Sequence, residues 1–153
     1  MTMNVDELRA AFDKAPQIVT GKLQEWVVRS TLRAEREAKL QLKRMGSSYM
    51  SGRTSGSIRT TLGVLEGEVK AHTNYAKWTV EGRKPGKMPP FQEGSDLAMW
   101  ARRAGINPFL VARAIGRKGT KGVPYMDEAH RKIENQMNND AVKLIDEIIG
   151  ELL

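Results

Sequence analysis

The sequence predicts an α+β fold: a long N-terminal helix, a small antiparallel β-sheet in the form of a hairpin, two short helices and a C-terminal helix. Three observations carry that reading. Apolar and small residues recur at three- and four-residue spacing from Val19 to Met45, and again from Ala129 to Ile148, the period of an amphipathic helix. Between these stretches Ile58, Thr60, Leu62 and Val64 alternate with Arg59, Thr61 and Gly63, the period of a half-buried strand. The chain has 153 residues, enough for one domain that buries about two thirds of its unfolded surface. It therefore reads as a single domain over 1–153, with N-terminal helices over 4–46, an α+β body over 51–130 and a C-terminal helix over 126–150.

The elements follow in order. Asn4 is a good N-cap, and Glu7 three residues on completes a capping box. Leu8, Ala11, Phe12 and Ala15 give a short first helix its apolar stripe. Pro16 then breaks it, kinks it, or opens a second helix at the first helical position. Val19, Leu23, Trp26, Val27, Ser30, Ala34, Ala38 and Met45 continue the helical period, and Gly46 closes it. The lower half of this helix buries only small residues, so it leans on another subunit or crosses a sheet edge; Leu32, Leu42 and Met45 are the candidates for a subunit interface. Residues 47–56 are a loop by composition. After the first strand, Glu66-Gly67 can turn the chain, and Val69, Ala71 and Thr73 alternate with Lys70 and His72 as a return strand. Two strands alone are marginal, so the hairpin must pack on helices or join a neighbour's sheet.

Residues 74–91 read NYAKWTVEGRKPGKMPPF. Tyr75, Trp78 and Thr79 (or Val80) are spaced for about one helical turn, and Gly82 fits the position that stops it. Arg83, Lys84 and Lys87 are then interleaved with Pro85, Gly86, Pro89 and Pro90, which excludes a helix or a central strand. Phe91 gives the loop an apolar residue with which to re-enter the body. The loop is thus framed by Tyr75, Trp78, Glu81, Gly82 and Phe91. Beyond it, Ser95 caps a helix carrying Leu97, Ala98, Trp100 and Ala101, which Gly105 ends. Asn107-Pro108 starts another, with Phe109, Ala112 and Ile115 inward. Residues 116–122, GRKGTKG, are a second basic, glycine-rich loop with Arg117, Lys118 and Lys121. The last helix takes its stripe from Ala129, Ile133, Met137, Ala141, Leu144, Ile145 and Ile148.

Composition bounds the function. Hydrophobic residues are 40% and charged residues 28%, which suits a globular chain rather than a disordered one. Zero cysteines exclude disulfides and thiolate metal sites. A net charge of +7 and a pI near 9.8 point to an anionic neighbour. No apolar run reaches the ~18 residues of a membrane span, and the first fifteen residues lack the apolar centre of a signal peptide, so the expectation is a chain used in the cytoplasm without membrane contact. His72 and His130 each lack a second ligand at metal spacing. No nucleophile elbow, paired-carboxylate motif or dinucleotide fingerprint appears. GRKPGKMPP lacks the second spaced glycine and the Ser/Thr of a phosphate loop, and GRKGTKG follows a helix where such a loop must follow a strand. Trp26 and Trp100 fall on helical stripes, whereas Trp78 borders the basic loop. The chain is expected to be no enzyme and to need no cofactor.

The order YAKWTVEG, a Pro-containing loop reaching PPF, DLAMWARRAG and then VARAIGRKGTKGVPYMDEA resembles the tail-component family of long-tailed phages, whose members are called neck, tail-completion or minor tail proteins. The positions that carry the resemblance are Tyr75, Ala76, Trp78, Glu81, Gly82, Trp100, Ile115, Gly119, Thr120, Tyr125 and Ala129, and SGRTSGSI at 51–58 resembles the family's entry to its first strand. The likeness covers about residues 50–130; Arg83 departs from the Thr or Ser that often follows the Glu-Gly step. It implies a structural virion protein, assembled in the host cytoplasm, that forms a homo-oligomeric ring (hexameric or dodecameric) at the head–tail junction. Its implied neighbours are adaptor or stopper neck proteins, a tail terminator or tail tube, and viral DNA passing through the lumen. A small basic nucleic-acid-binding protein is the alternative, but such modules interleave exposed aromatics with their charges more densely than this chain does. The prolines and flanking aromatics of the Arg83–Lys87 segment suit docking onto a protein face. The three glycines of the Arg117–Lys121 segment suit a mobile loop in the lumen.

Overall fold

A computed structural model describes residues 5–45 and 52–152. Asn4, Gly46 and residues 47–51 lie outside the described residues, as do the side chains of Glu7, Leu8 and Phe12. The fold is α+β. Helix α1 (Val5–Met45) leads through a short helix α2 (Gly52–Ser57) into strands β1 (Ile58–Leu62) and β2 (Gly67–Ala71). Then come α3 (Ala76–Glu81), β3 (Gly82–Arg83), α4 (Asp96–Arg103), α5 (Pro108–Lys118), β4 (Thr120–Lys121) and α6 (Tyr125–Leu152).

The sequence expects a break, a kink or a second helix at Pro16, but α1 runs through it as one helix. Pro16 is exposed, so the carbonyl it leaves without an N–H donor can meet water rather than protein. Residues 52–56, expected as loop, close a helical turn in which the Ser57 hydroxyl donates to the Thr54 carbonyl at 2.8 Å.

Helices α1 and α6 pack antiparallel. Lys22 meets Glu151 at 2.5 Å, Arg33 meets Asp140 at 2.5 Å, and Glu37 meets Lys132 at 3.5 Å, so positions rise on one helix as they fall on the other. Exposed pairs of this kind contribute about 0–1 kcal/mol each and set register more than stability. Burial supplies the rest, through Ala38 and Leu42 of α1 and Tyr125, Ala129, Ile133 and Leu144 of α6.

β1 and β2 form an antiparallel hairpin from Ile58↔Ala71 to Leu62↔Gly67. Its turn is Gly63–Glu66, closed by the Gly63 N–H on the Glu66 carbonyl at 2.9 Å, and Gly67 already belongs to the return strand. The hairpin lies on α1. Ile58 joins Ala38, Leu42, Tyr125 and Ala129 in one core cluster, with Val69, Ala71, Val80, Val123 and Met126 packed around it. Thr60 donates to the Glu35 carboxylate at 2.6 Å, and a side chain at Gly67 would run into Thr31 at 1.9 Å.

Two expectations are corrected here. Leu42, read as a subunit-interface residue, is 1% exposed in the single chain and belongs to its internal core, because β1 and the start of α6 cover it. Leu32 and Met45 do face outward, at 52% and 39%. Ile145, read as part of the inner stripe of α6, is 55% exposed, because the stripe that meets α1 passes through Leu144 instead.

Candidate functional site: a two-segment basic platform

The chain's two basic segments, more than thirty residues apart in sequence, are joined by a minimal β-ladder. Gly82 pairs with Lys121 and Arg83 with Thr120, antiparallel. Two further backbone bonds fasten the joint, Gly86 N–H to the Gly116 carbonyl and Val123 N–H to the Thr79 carbonyl, each 2.8 Å, while Gly119 N–H to the Ile115 carbonyl closes the end of α5.

Glycine makes this approach possible. Gly82 ends α3 with φ 79°, and a Cβ there would stand 2.4 Å from the Thr120 carbonyl oxygen. Gly119 ends α5 with φ 72°, and its Cβ would meet the Arg83 carbonyl oxygen at 2.1 Å. Both positions need the left-handed region, which side chains rarely tolerate, and both need the space of a missing Cβ. The expectation of a mobile Arg117–Lys121 loop is therefore corrected. Arg117 and Lys118 form the last turn of α5, where the helix dipole favours cations, and Lys121 lies in β4.

Local sequence positions the rest. The Ser95 hydroxyl caps α4 by accepting the Ala98 N–H at 3.2 Å, and the Asn107 side chain caps α5 by accepting the Phe109 N–H at 2.9 Å, with Pro108 at the first helical position. Phe91 ends the proline segment edge-on to Phe109, ring centroids 5.5 Å apart, which anchors the segment to the first turn of α5. Phe109, read as inward, is consequently a partly exposed bracket, while Ala112 and Ile115 are buried. The Tyr75 hydroxyl accepts from Thr54 at 3.2 Å and Val80 packs on the core. Trp78 instead points outward at 50% exposure, so the turn does not turn all its apolar residues to one side.

Arg83 is the hinge of the electrostatics. Its guanidinium lies 5.5 Å from the centroid of Trp78 and donates to the Lys87 carbonyl at 2.6 Å, stacking on one frame residue while folding the proline segment back. Lys84, Lys87, Arg117, Lys118 and Lys121 are exposed, and none pairs with a carboxylate among the described residues. Glu81, at the base of the platform, is engaged by Lys77 at 4.0 Å. The platform is thus a cationic surface on a fixed backbone. No match to a family model, a curated protein or a solved structure was found.

His72 and His130 are exposed, and no group of three or more His, Cys, Asp or Glu among the described residues could hold a metal ion. No described helix is long and apolar enough to cross a membrane. Sequence reasoning found all six cations but missed their union. The available signal was the pair of glycines that end α3 and α5, Gly82 and Gly119, which marks backbone meeting backbone as much as it marks a turn.

Proposed function

We propose that this chain is a structural subunit of a long-tailed phage particle, forming a homo-oligomeric ring at the head–tail junction and presenting the basic platform to the adjoining component. The observation that carries the reading is the platform itself. Six cations are held together on a backbone fixed by paired glycines, so the arrangement gains its compensating anion from outside the chain. The residues behind the family resemblance also gather at this joint: Gly82 pairs across it, Gly119 and Thr120 complete it, Trp78 stacks on Arg83, and Tyr125 anchors the following helix in the core. Large apolar side chains left exposed on α1 and α6 supply surface for subunit contacts.

Because the platform is one surface, it takes one kind of partner. The fixed backbone and the brackets at Trp78 and Phe91 favour an acidic protein face, whose recognition depends on particular side chains and survives moderate salt. The half-exposed Trp78 beside Arg83 is the feature that favours the second reading, a nucleic-acid-binding protein.

Mass photometry of the purified chain, with a DNA-binding titration at several salt concentrations, separates the two. The ring reading expects a discrete oligomer with little affinity for duplex. A monomer that binds DNA, with affinity falling steeply as salt rises, overturns it.

A further inference from the structure

We propose that Arg83 is the residue by which the platform selects its partner, its guanidinium taking a carboxylate of an acidic protein segment on one two-donor edge. This rests on the platform reading and names the side chain that decides it. Of the platform's six cations, Arg83 is the one whose side chain is held. Its guanidinium lies over the Trp78 ring, 5.5 Å from the centroid, and one of its N–H groups donates to the Lys87 carbonyl at 2.6 Å. The other five are exposed, and among the described residues no side-chain hydrogen bond or ring contact restrains them.

The hold on Arg83 is itself anchored. Lys87 stands between two residues fastened to Gly116. The Gly86 N–H donates to the Gly116 carbonyl at 2.8 Å, and the Met88 side chain lies so close that a Cβ on Gly116 would meet its Cγ at 2.8 Å. The carbonyl that receives Arg83 is therefore fixed from both sides against α5. No carboxylate pairs with Arg83 among the described residues, and Glu81, two positions before it, is engaged by Lys77.

A guanidinium carries five N–H donors and Lys87 takes one, so at least one two-donor edge stays open. Two parallel N–H···O bonds on such an edge match a carboxylate. Accepting it costs little freedom, because Trp78 and Lys87 have already removed that freedom. The five unrestrained cations must each be immobilised when they bind. They attract an acidic partner, and Arg83 sets where its carboxylate sits. The same geometry disfavours a nucleic-acid strand. Single-strand recognition places a base on the aromatic face. Here the guanidinium lies over the Trp78 ring, so a base must displace it from that face, whereas a carboxylate meets it where it stands.

The probe is a fluorescein-labelled polyglutamate peptide, titrated by anisotropy with the full-length chain and with variants shown to be folded by circular dichroism and thermal melts. Arg83→Lys keeps the charge and should weaken binding about tenfold, because the fork is lost. Lys84→Arg and Lys118→Arg should stay within about twofold of wild type. Trp78→Leu should lose as much as Arg83→Lys, and Trp78→Phe, which keeps an aromatic face, should recover most of that loss. Wild-type affinity in folded Arg83→Lys or Trp78→Leu overturns the anchor. If Arg83/Lys84/Lys87→Glu then fails to bind, the platform reading still stands. Tighter binding of a single-stranded oligonucleotide of equal charge overturns the carboxylate as the ligand. A wild-type chain that does not bind polyglutamate at low salt overturns both the anchor and the acidic partner of the platform.

Discussion

The core around Leu42 and the platform around Gly82 are built by opposite means. In the core, Leu42, Ile58 and Tyr125 are each at most 1% exposed and the joining force is apolar burial. On the platform almost nothing is buried, and the joining force is backbone meeting backbone across glycines, with five cations left facing solvent. The first region resists change because its energy is spread over many contacts. The second is fixed at Gly82, Gly119 and Gly122, where a single methyl group has no room. Stability and function are thereby separated: charges can be altered on the platform without touching the core, and the core can fail without any change in charge.

The largest break is expected in the core. Leu42→Asp places an unpaired carboxylate among Ile58, Tyr125 and Ala129 and should cost more than about 4 kcal/mol, enough to prevent folding of a marginally stable chain. Leu42→Ala should cost about 2–5 kcal/mol by denaturant titration. A folded Leu42→Asp monomer with wild-type stability would place this face outside the core.

Next in size is the joint. Gly82→Ala or Gly119→Ala should cost about 1–3 kcal/mol through the left-handed backbone and the clash across the ladder. Amide exchange should accelerate at Gly86 and Val123, whose N–H groups bond across the joint, before it changes in α1. Uniform acceleration through both regions would deny the separation drawn here.

A smaller effect is expected at Tyr125. Its hydroxyl is buried without a hydrogen-bond partner among the described residues, and burial raises its pKa. The neutral form is therefore favoured by folding, so its contribution is complete below the ordinary tyrosine range and is lost as pH rises through the folded value. Tyr125→Phe should leave neutral-pH stability unchanged or raise it by up to about 1 kcal/mol, and should remove that alkaline loss. A loss above about 1 kcal/mol at neutral pH would reveal a partner for the hydroxyl.

The smallest concerns Glu35, whose pKa is lowered first by its hydrogen bond from Lys39 and then by that from Thr60. Its contribution is full above the ordinary glutamate range and is lost as pH falls through the depressed folded value. Glu35→Gln should flatten the acid limb of a stability-against-pH curve by lowering its neutral plateau slightly toward the acid value. An unchanged acid limb would assign that slope to other carboxylates.

Much of the fold was legible because period reports burial. The alternation at Ile58–Thr60 and the stripe through Ala129, Ile133 and Leu144 follow from it, while the Ser95 and Asn107-Pro108 helix starts follow from capping. Leu62 and Val64, read as inward, are exposed because nothing packs over the end of the hairpin among the described residues. Leu42 and Ile145 were misassigned for one reason: both sides of each helix carry apolar residues, and period alone does not say which side the rest of the chain covers. Pro16 misled because an exposed proline leaves its orphaned carbonyl to water. The six cations were visible residue by residue. Their convergence was not, since a two-residue ladder has no period to detect.

The central claim is that the two basic segments act as one surface in assembly. Its direct measurement is the fraction of heads joined to tails, counted by electron microscopy, when particles lacking this chain are supplied with charge-reversed variants. Arg83/Lys84/Lys87→Glu, Arg117/Lys118/Lys121→Glu and the combination should each abolish joining to a similar extent, because either triple destroys the shared surface. Wild-type joining with either triple variant, or losses that simply multiply in the combination, would contradict it.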